Sequence, residues 1–205
     1  MSAEAQVQNL QAPDLKVQDL GEQALLQRLY QFCQPDLVGD DAALLTVAPD
    51  HSLVVTTDML VDRVHFSDQT TSAPDVGWRA AAANLSDLAA MGATPLGITI
   101  GLGLPAELAV SWVEGLYQGM VECLQQYGTP IVGGDICRSS VTTVSITAFG
   151  QVKPEQAIYR NQAKPGDAIV VTGLHGASRA GLELLLHPKQ GQTLAEADRQ
   201  FLIQT

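Results

Sequence analysis

The chain has 205 residues, 46% of them hydrophobic, 16% charged and only 5% aromatic, which excludes disordered, collagen-like and coiled-coil classes and leaves an ordinary globular chain of one or two domains. Eleven Lys and Arg stand against 22 Asp and Glu, a formal charge of −11 at pH 7. That balance argues against nucleic acid as a partner, because phosphate backbones are gripped by clustered Lys and Arg. An acidic protein that handles a phosphate ligand needs a bridge, and a hard divalent cation held by carboxylates supplies one.

Cys33, Cys123 and Cys137 are odd in number and widely spaced, with no CxxC pair and no cysteine-histidine cluster. They indicate neither a disulfide framework nor a zinc site, and point to a reducing, cytoplasmic location. No basic segment followed by an apolar run opens the chain, so no signal peptide is read. Residues 88–106 carry no charge over a span about long enough to cross a membrane. Gly92, Pro95, Gly97, Gly101, Gly103 and Pro105 divide it into a helix end, a turn and a strand, so no membrane partner is expected.

Residues 1–17 are polar and aperiodic and form an expected flexible leader. Leu25, Leu26, Leu29, Tyr30 and Phe32 recur at helical spacing and predict a helix over 21–33. The short apolar runs 42–47 and 52–57, separated by Pro49-Asp50, predict two adjacent strands. An alanine-rich helix is expected over 77–91, with Trp78, Ala81, Leu85 and Leu88 as its packing stripe and Asn84 and Asp87 on another, polar face; Gly92 and Pro95 stop it. A strand over 96–104 and a helix over 108–127 follow, and a strand over 130–132 runs into Gly133-Gly134-Asp135. Residues 141–152 alternate Thr and Ser with Val, Ile and Ala, the period of a strand. Two prolines within 153–167 mark a linker; beyond it a strand over 168–172, a helix over 177–186 and another helix near Leu194 are expected. The fold class is α+β: an N-terminal domain over 18–152 of mixed sheet packed with helices, then an incomplete C-terminal α/β domain over 168–205, one strand and two helices being too few to bury a core.

The acidic residues of interest sit beside glycine or at the ends of apolar strands: Gly39-Asp40-Asp41, Thr56-Thr57-Asp58, Ser86-Asp87 and Gly133-Gly134-Asp135. Magnesium takes one or two carboxylates per ion with phosphate oxygens and water, so four separate acidic points suit more than one ion. Asp58 and Asp135 both emerge after apolar strand residues, where ligand sites of open sheets form. A P-loop is absent, since the chain has no Gly-Lys pair. Arg138 and Arg160 are candidate phosphate contacts, because guanidinium matches phosphate oxygens bidentately, and Arg160 is the better placed of the two, in the inter-domain segment. His65 beside Phe66 and Tyr117 beside its helix stripe are read from the residues alone as packing or surface positions.

In order, Val38-Gly39-Asp40-Asp41-Ala42-Ala43-Leu44, Thr56-Thr57-Asp58-Met59-Leu60-Val61 with Val64-His65-Phe66, Asn84-Leu85-Ser86-Asp87-Leu88-Ala89-Ala90-Met91-Gly92-Ala93, Val132-Gly133-Gly134-Asp135 and Ala163-Lys164-Pro165-Gly166-Asp167 with Val171-Thr172-Gly173 resemble the thiamine-monophosphate kinase family. That family belongs to the superfamily of aminoimidazole ribonucleotide synthetase and selenophosphate synthetase. The resemblance implies ATP-dependent phosphorylation of thiamine monophosphate to thiamine diphosphate. It implies that Asp41, Thr56, Thr57, Asp58, Asp87 and Asp135 hold magnesium, with Asp40 close by, that Tyr117, Gly134, Asp135 and Arg160 contact ATP, and that His65 touches the thiamine phosphate. No acid or base is assigned, since a phosphate acceptor is already anionic. The resemblance further implies a homodimer whose N-terminal sheets associate. It also implies a second domain carrying Ser-Asp-Gly, which this sequence lacks, so a C-terminally truncated chain is expected. The alternatives are another ATP-dependent enzyme of the superfamily and a nucleotide-binding dimerisation fragment without turnover.

Overall fold

The computed structural model describes residues 14–205. The expected leader therefore lies outside the described residues up to residue 13, and the first helix, α1 (Val17–Leu29), opens earlier than the periodicity suggests. It is kinked at Gly21 and continues as a 3-10 turn over Tyr30–Phe32. In chain order follow β1 (Ser52–Val61), α2 (Ala73–Ala90), β2 (Thr94–Leu104), α3 (Val110–Gln125), β3 (Ile131–Arg138), β4 (Thr143–Val152), α4 (Ala177–Leu186) and α5 (Glu196–Gln204). The four strands form one mixed sheet in the order β1-β4-β2-β3, with β2 and β3 parallel and the other pairs antiparallel. The β2-α3-β3 unit is the crossover that parallel strands require.

Local chemistry accounts for the best-defined element. Ser72 caps α2 by accepting from the Asp75 N–H at 3.4 Å, with Pro74 in the first turn. The helix stops where Gly92 adopts a left-handed φ of 71°. The Gly92 and Ala93 N–H groups then return to the Ala89 and Leu88 carbonyls, each at 2.9 Å, satisfying the last turn.

Helices α2 and α3 cover one face of the sheet. Ile98, Ile100, Leu102, Val144, Ile146 and Ala148 meet Leu85, Leu88, Leu116 and Met120 there in a continuous apolar core. The opposite face is open over β1, where Leu53, Val55 and Met59 are each about half exposed, at 50%, 53% and 51%. Residues 37–48 cross from α1, near β3, toward β1. The Ala48 N–H anchors this crossing by donating to Gln151 Oε1 at 2.7 Å.

Two expected strands are absent. Residues 42–47 alternate in exposure, with Leu44 at 92%, but they have no ladder partner among the described residues. Residues 168–172 are likewise unpaired among the described residues, and Ile169 is 98% exposed. Both runs have strand composition, yet a strand forms only where a neighbour accepts its hydrogen bonds. The strand expected to end at Val132 instead continues, so that Gly133-Gly134-Asp135 is the middle of β3. Among the described residues no helix is long and apolar enough to cross a membrane.

Candidate functional site

A cavity of about 510 Å³ opens between the 37–47 crossing, the β3 edge of the sheet and α1 and α3, within the size range of small-molecule sites. Its apolar lining includes Leu26, Leu29, Cys33, Tyr117 and Ile131. Its polar lining comprises Asp40 and Asp41 from the crossing, Thr99 from β2, and the Gly133-Gly134-Asp135 backbone and carboxylate of β3. Because β3 is an edge strand, half of its backbone N–H and C=O groups point away from β2 and have no ladder partner among the described residues. Gly134 is required by packing, since a Cβ there would lie 2.3 Å from the Ile100 carbonyl oxygen.

Tyr117 is 5% exposed and tilts against Phe32 with ring centroids 5.7 Å apart. Burial, reinforced by the nearby Cys33, raises its hydroxyl pKa, so it is a neutral group at any physiological pH. Burial also pushes the Cys33 thiol up from 9.0 to about 11. Above pH 9 the unfolded chain releases the Cys33 proton while the folded chain keeps it, so folding stability falls as pH rises through about 11. Cys33→Ala is expected to flatten that part of the profile, and urea unfolding at pH 8, 9, 10 and 11 measures it. A variant whose loss of stability with pH equals that of the parent would show that Cys33 is not the group responsible.

The remaining candidates lie elsewhere on the sheet. Thr56 Oγ1 donates to Asp87 Oδ2 at 2.6 Å, linking β1 to α2 on the helix-covered face. Asp58, two residues on, shares that face by strand alternation. Thr57 faces the other way, and its hydroxyl donates to the Ile146 carbonyl at 3.1 Å and meets Thr147 Oγ1. The register places Thr57, Thr147, Thr99 and Gly133 in one row across the sheet. His65 accepts the Val61 N–H at Nδ1, 3.1 Å away, and Arg160 is exposed in the turn after Tyr159.

The structure thus brings Asp40, Asp41, Tyr117, Gly134 and Asp135 to one cavity and pairs Thr56 with Asp87. It does not draw all the acidic groups to one point: among the described residues no three His, Cys, Asp or Glu side chains converge as a metal cluster. Sequence reasoning missed Thr99 and Cys33 as cavity-lining residues. The alternation of β4 was the available signal for the hydroxyl row, and nothing local marks Cys33.

Asn84 also differs from expectation. It is 1% exposed, its Nδ2 donates to the Ala80 carbonyl at 3.0 Å, and its Oδ1 is buried without a protein partner one helical turn before Asp87.

Residues 39–152 match the family described as AIR synthase related protein, N-terminal domain. The chain belongs to that family. This AIR synthase related chain is 52% identical to the thiamine-monophosphate kinase of Synechococcus elongatus over 173 residues, 84% of this chain and 53% of that protein. It is 38% identical to the Bacillus subtilis protein of the same name over 166 residues, 80% of this chain and 51% of the relative. The chain therefore spans about half the length of the curated relatives it matches. The crystal structure of thiamine-monophosphate kinase from Stenotrophomonas maltophilia superposes with a TM-score of 0.74 at 38% identity, covering 87% of this chain and 58% of that one. A structure described as AaThiL complexed with AMPPCP and TMP superposes at 0.69 with 34% identity, covering 94% of this chain and 60% of that one. These likenesses agree with an α+β, AIR synthase-like fold.

Proposed function

We propose that this chain carries the ATP-binding and metal-binding part of a thiamine-monophosphate kinase. The observation that carries the reading is the cavity on which Asp40, Asp41, Tyr117, Gly134 and Asp135 meet, in a chain 52% identical to a protein of that name. In the reaction an oxygen of the thiamine monophosphate phosphate attacks the γ-phosphorus of ATP. The bond from that phosphorus to the β-γ bridging oxygen breaks, and ADP leaves with the bridging oxygen. Such a transfer needs alignment and charge neutralisation more than proton movement, so no acid or base is required of this chain.

The apolar lining of the cavity suits the nucleoside, with the Tyr117 ring as a wall, while the edge of β3 around Gly134 offers backbone N–H groups to phosphate oxygens. Arg160 is a further phosphate contact from the linker, and His65 faces the acceptor. The donor set fits magnesium: every candidate is a carboxylate or hydroxyl oxygen, and Asn84 Oδ1 beside Asp87 is a buried acceptor without a protein partner. Asp40, Asp41, Thr56, Thr57, Asp58, Asp87 and Asp135 would hold more than one ion, each ion drawing its other ligands from phosphate and water. Bound there, magnesium supplies the positive charge that offsets the phosphates in an otherwise acidic protein.

Calorimetric titration with a non-hydrolysable ATP analogue, with and without magnesium, tests the reading, together with chromatographic detection of thiamine diphosphate from ATP and thiamine monophosphate. Magnesium-dependent binding with product supports the kinase. Binding without product leaves a nucleotide-binding unit without turnover, and no binding by the folded chain overturns the reading.

The same proposal includes a cytoplasmic homodimer, supported by free Cys33, Cys123 and Cys137 and by the exposed apolar side chains on edge strand β1. Val55→Lys, which sets a charge on that face, is expected to shift the sedimenting species from dimer to monomer. A parent that already sediments as a monomer would refute the dimer. Residues 168–205 form a separate unit in this proposal, in which α4 and α5 pack through Gly181 and Leu202.

A further inference from the structure

Strand β1 carries two adjacent threonines, and alternation sends their hydroxyls to opposite faces of the sheet. A threonine hydroxyl has one proton to give and two lone pairs to accept with. Thr56 commits its proton to Asp87 Oδ2 at 2.6 Å, across to α2. Thr57 commits its own to the Ile146 carbonyl of β4 at 3.1 Å. Thr57 Oγ1 also lies 2.5 Å from Thr147 Oγ1. With the Thr57 proton already placed, this second bond has one direction: Thr147 donates and Thr57 accepts. One lone pair of Thr57 Oγ1 remains. It can face a cation or a hydrogen-bond donor, but the group has no proton left for a phosphate oxygen.

The pair sits beside the cavity. Ladder pairing puts Thr147 next to Thr57 on one side and Thr99 on the other, on strands about 5 Å apart. Thr99 lines the cavity, as do Gly133, which continues the row, and Phe149, two residues beyond Thr147 on the same face of β4. The β1-β4 register runs without a shift from Ser52↔Val152 to Val61↔Thr143, so the backbone fixes both threonines. Thr57 is exposed while Thr147 is half-buried. The accepting oxygen can therefore be reached, and the bond that orients it is partly sheltered from competing water.

We propose that Thr147 is a positioning residue for a divalent cation: by donating to Thr57 Oγ1 it fixes the direction of the remaining lone pair and makes Thr57 an acceptor-only ligand. The proposal rests on the reading that Thr57 is one of the magnesium ligands, and it adds a residue that itself touches neither the ion nor the nucleotide. Hydrogen bonds to a metal-ligating group hold its orientation, and losing one costs about 10- to 100-fold in metal affinity. A neutral hydroxyl donor belongs at the lower end of that span.

The test titrates the full chain calorimetrically with a non-hydrolysable ATP analogue, with and without magnesium. The proteins are the parent, Thr147→Val, Thr147→Ala, Thr147→Ser, Thr57→Val and Thr143→Val. Valine keeps the branched shape that suits a strand, and alanine gives a second hydroxyl-free protein should valine unfold the chain. Both hydroxyl-free variants are expected to lose about tenfold in magnesium-dependent affinity and to match the parent without magnesium. Thr147→Ser restores the parent value. Thr143→Val, which removes a hydroxyl from the same face of β4 away from Thr57, binds as the parent does. The proposal is overturned if the hydroxyl-free variants lose affinity equally with and without magnesium, or if serine fails to restore it, since either result describes packing alone. It is also overturned if Thr57→Val weakens magnesium-dependent binding and loss of the Thr147 hydroxyl does not. Should Thr57→Val bind like the parent, or the parent show no magnesium dependence, the assignment of Thr57 as a ligand falls first and takes the role of Thr147 with it.

Discussion

Gly119→Ala will destabilise the protein by about 3 kcal/mol, at the upper end of what overpacking costs. Alanine in place of a helical glycine ordinarily stabilises by up to about 1 kcal/mol. The sign reverses here because a Cβ at Gly119 would sit 1.9 Å from the Pro74 carbonyl oxygen, and one at Gly77 equally close to the Leu116 carbonyl. Helices α2 and α3 are thus in backbone contact at two points, and neither obstacle is a flexible side chain that could swing away. Accommodating one methyl group means separating the helices over Val76, Leu116 and Met120, all essentially fully buried.

Gly115, on the same helix α3, supplies the comparison. Its Cβ would meet the Ala73 Cβ at 3.4 Å, an ordinary contact, so Gly115→Ala should be neutral or stabilising. Thermal unfolding reads the difference, since about 3 kcal/mol corresponds to roughly 6–12 °C in a chain of this length. Equal melting temperatures for the two variants would mean that the helices are not pinned together at Gly119.

Asp87→Asn will lower the magnesium-dependent affinity for an ATP analogue by about 10- to 100-fold, the span expected when one charged partner is removed. Folding stability should change by less than about 1 kcal/mol, because the asparagine carbonyl oxygen can still accept the Thr56 hydroxyl now donated to Asp87 at 2.6 Å. The substitution separates charge from hydrogen bonding. Unchanged affinity would reduce Asp87 to a structural acceptor that ties β1 to α2, and it would remove the link between this pair and the phosphate-metal chemistry. Asp58→Asn, on the same face of β1, should act in the same direction without touching that bond.

Much of this was legible in the residues. Helices α2 and α3 follow from apolar spacing, and α2 also from its Gly92 stop, an interaction within a few residues, although the Ser72 cap starts α2 at Ala73 rather than at residue 77. The alternation over β4 announced a strand with one apolar and one hydroxyl-bearing face, and Thr147 in the hydroxyl row is its result. The motifs holding Asp41, Asp87 and Asp135 carry the expectation of phosphate-metal chemistry, and the cavity gathers two of these residues, Asp41 and Asp135. Other features were not. Asn84 was placed with Asp87 on a polar face, yet it is 1% exposed and its Nδ2 bonds back to the Ala80 carbonyl. The strand expected to end at Val132 runs on through the glycines before Asp135, and Gly134 is needed inside β3 because Ile100 of β2 leaves no room for a side chain.

By itself, then, the sequence determined which segments favour helix or strand and where α2 ends. Only the tertiary structure decided that residues 42–47 and 168–172 stay unpaired among the described residues, that Thr57 and Asp87 serve opposite faces of one sheet, and that the Arg79 guanidinium donates to the His65 carbonyl. The reason is physical: caps and periodicity act over one or two turns of chain. A strand's partner, a cavity wall or a buried carbonyl's neighbour comes from residues tens of positions away, and its identity is settled only when the layers pack.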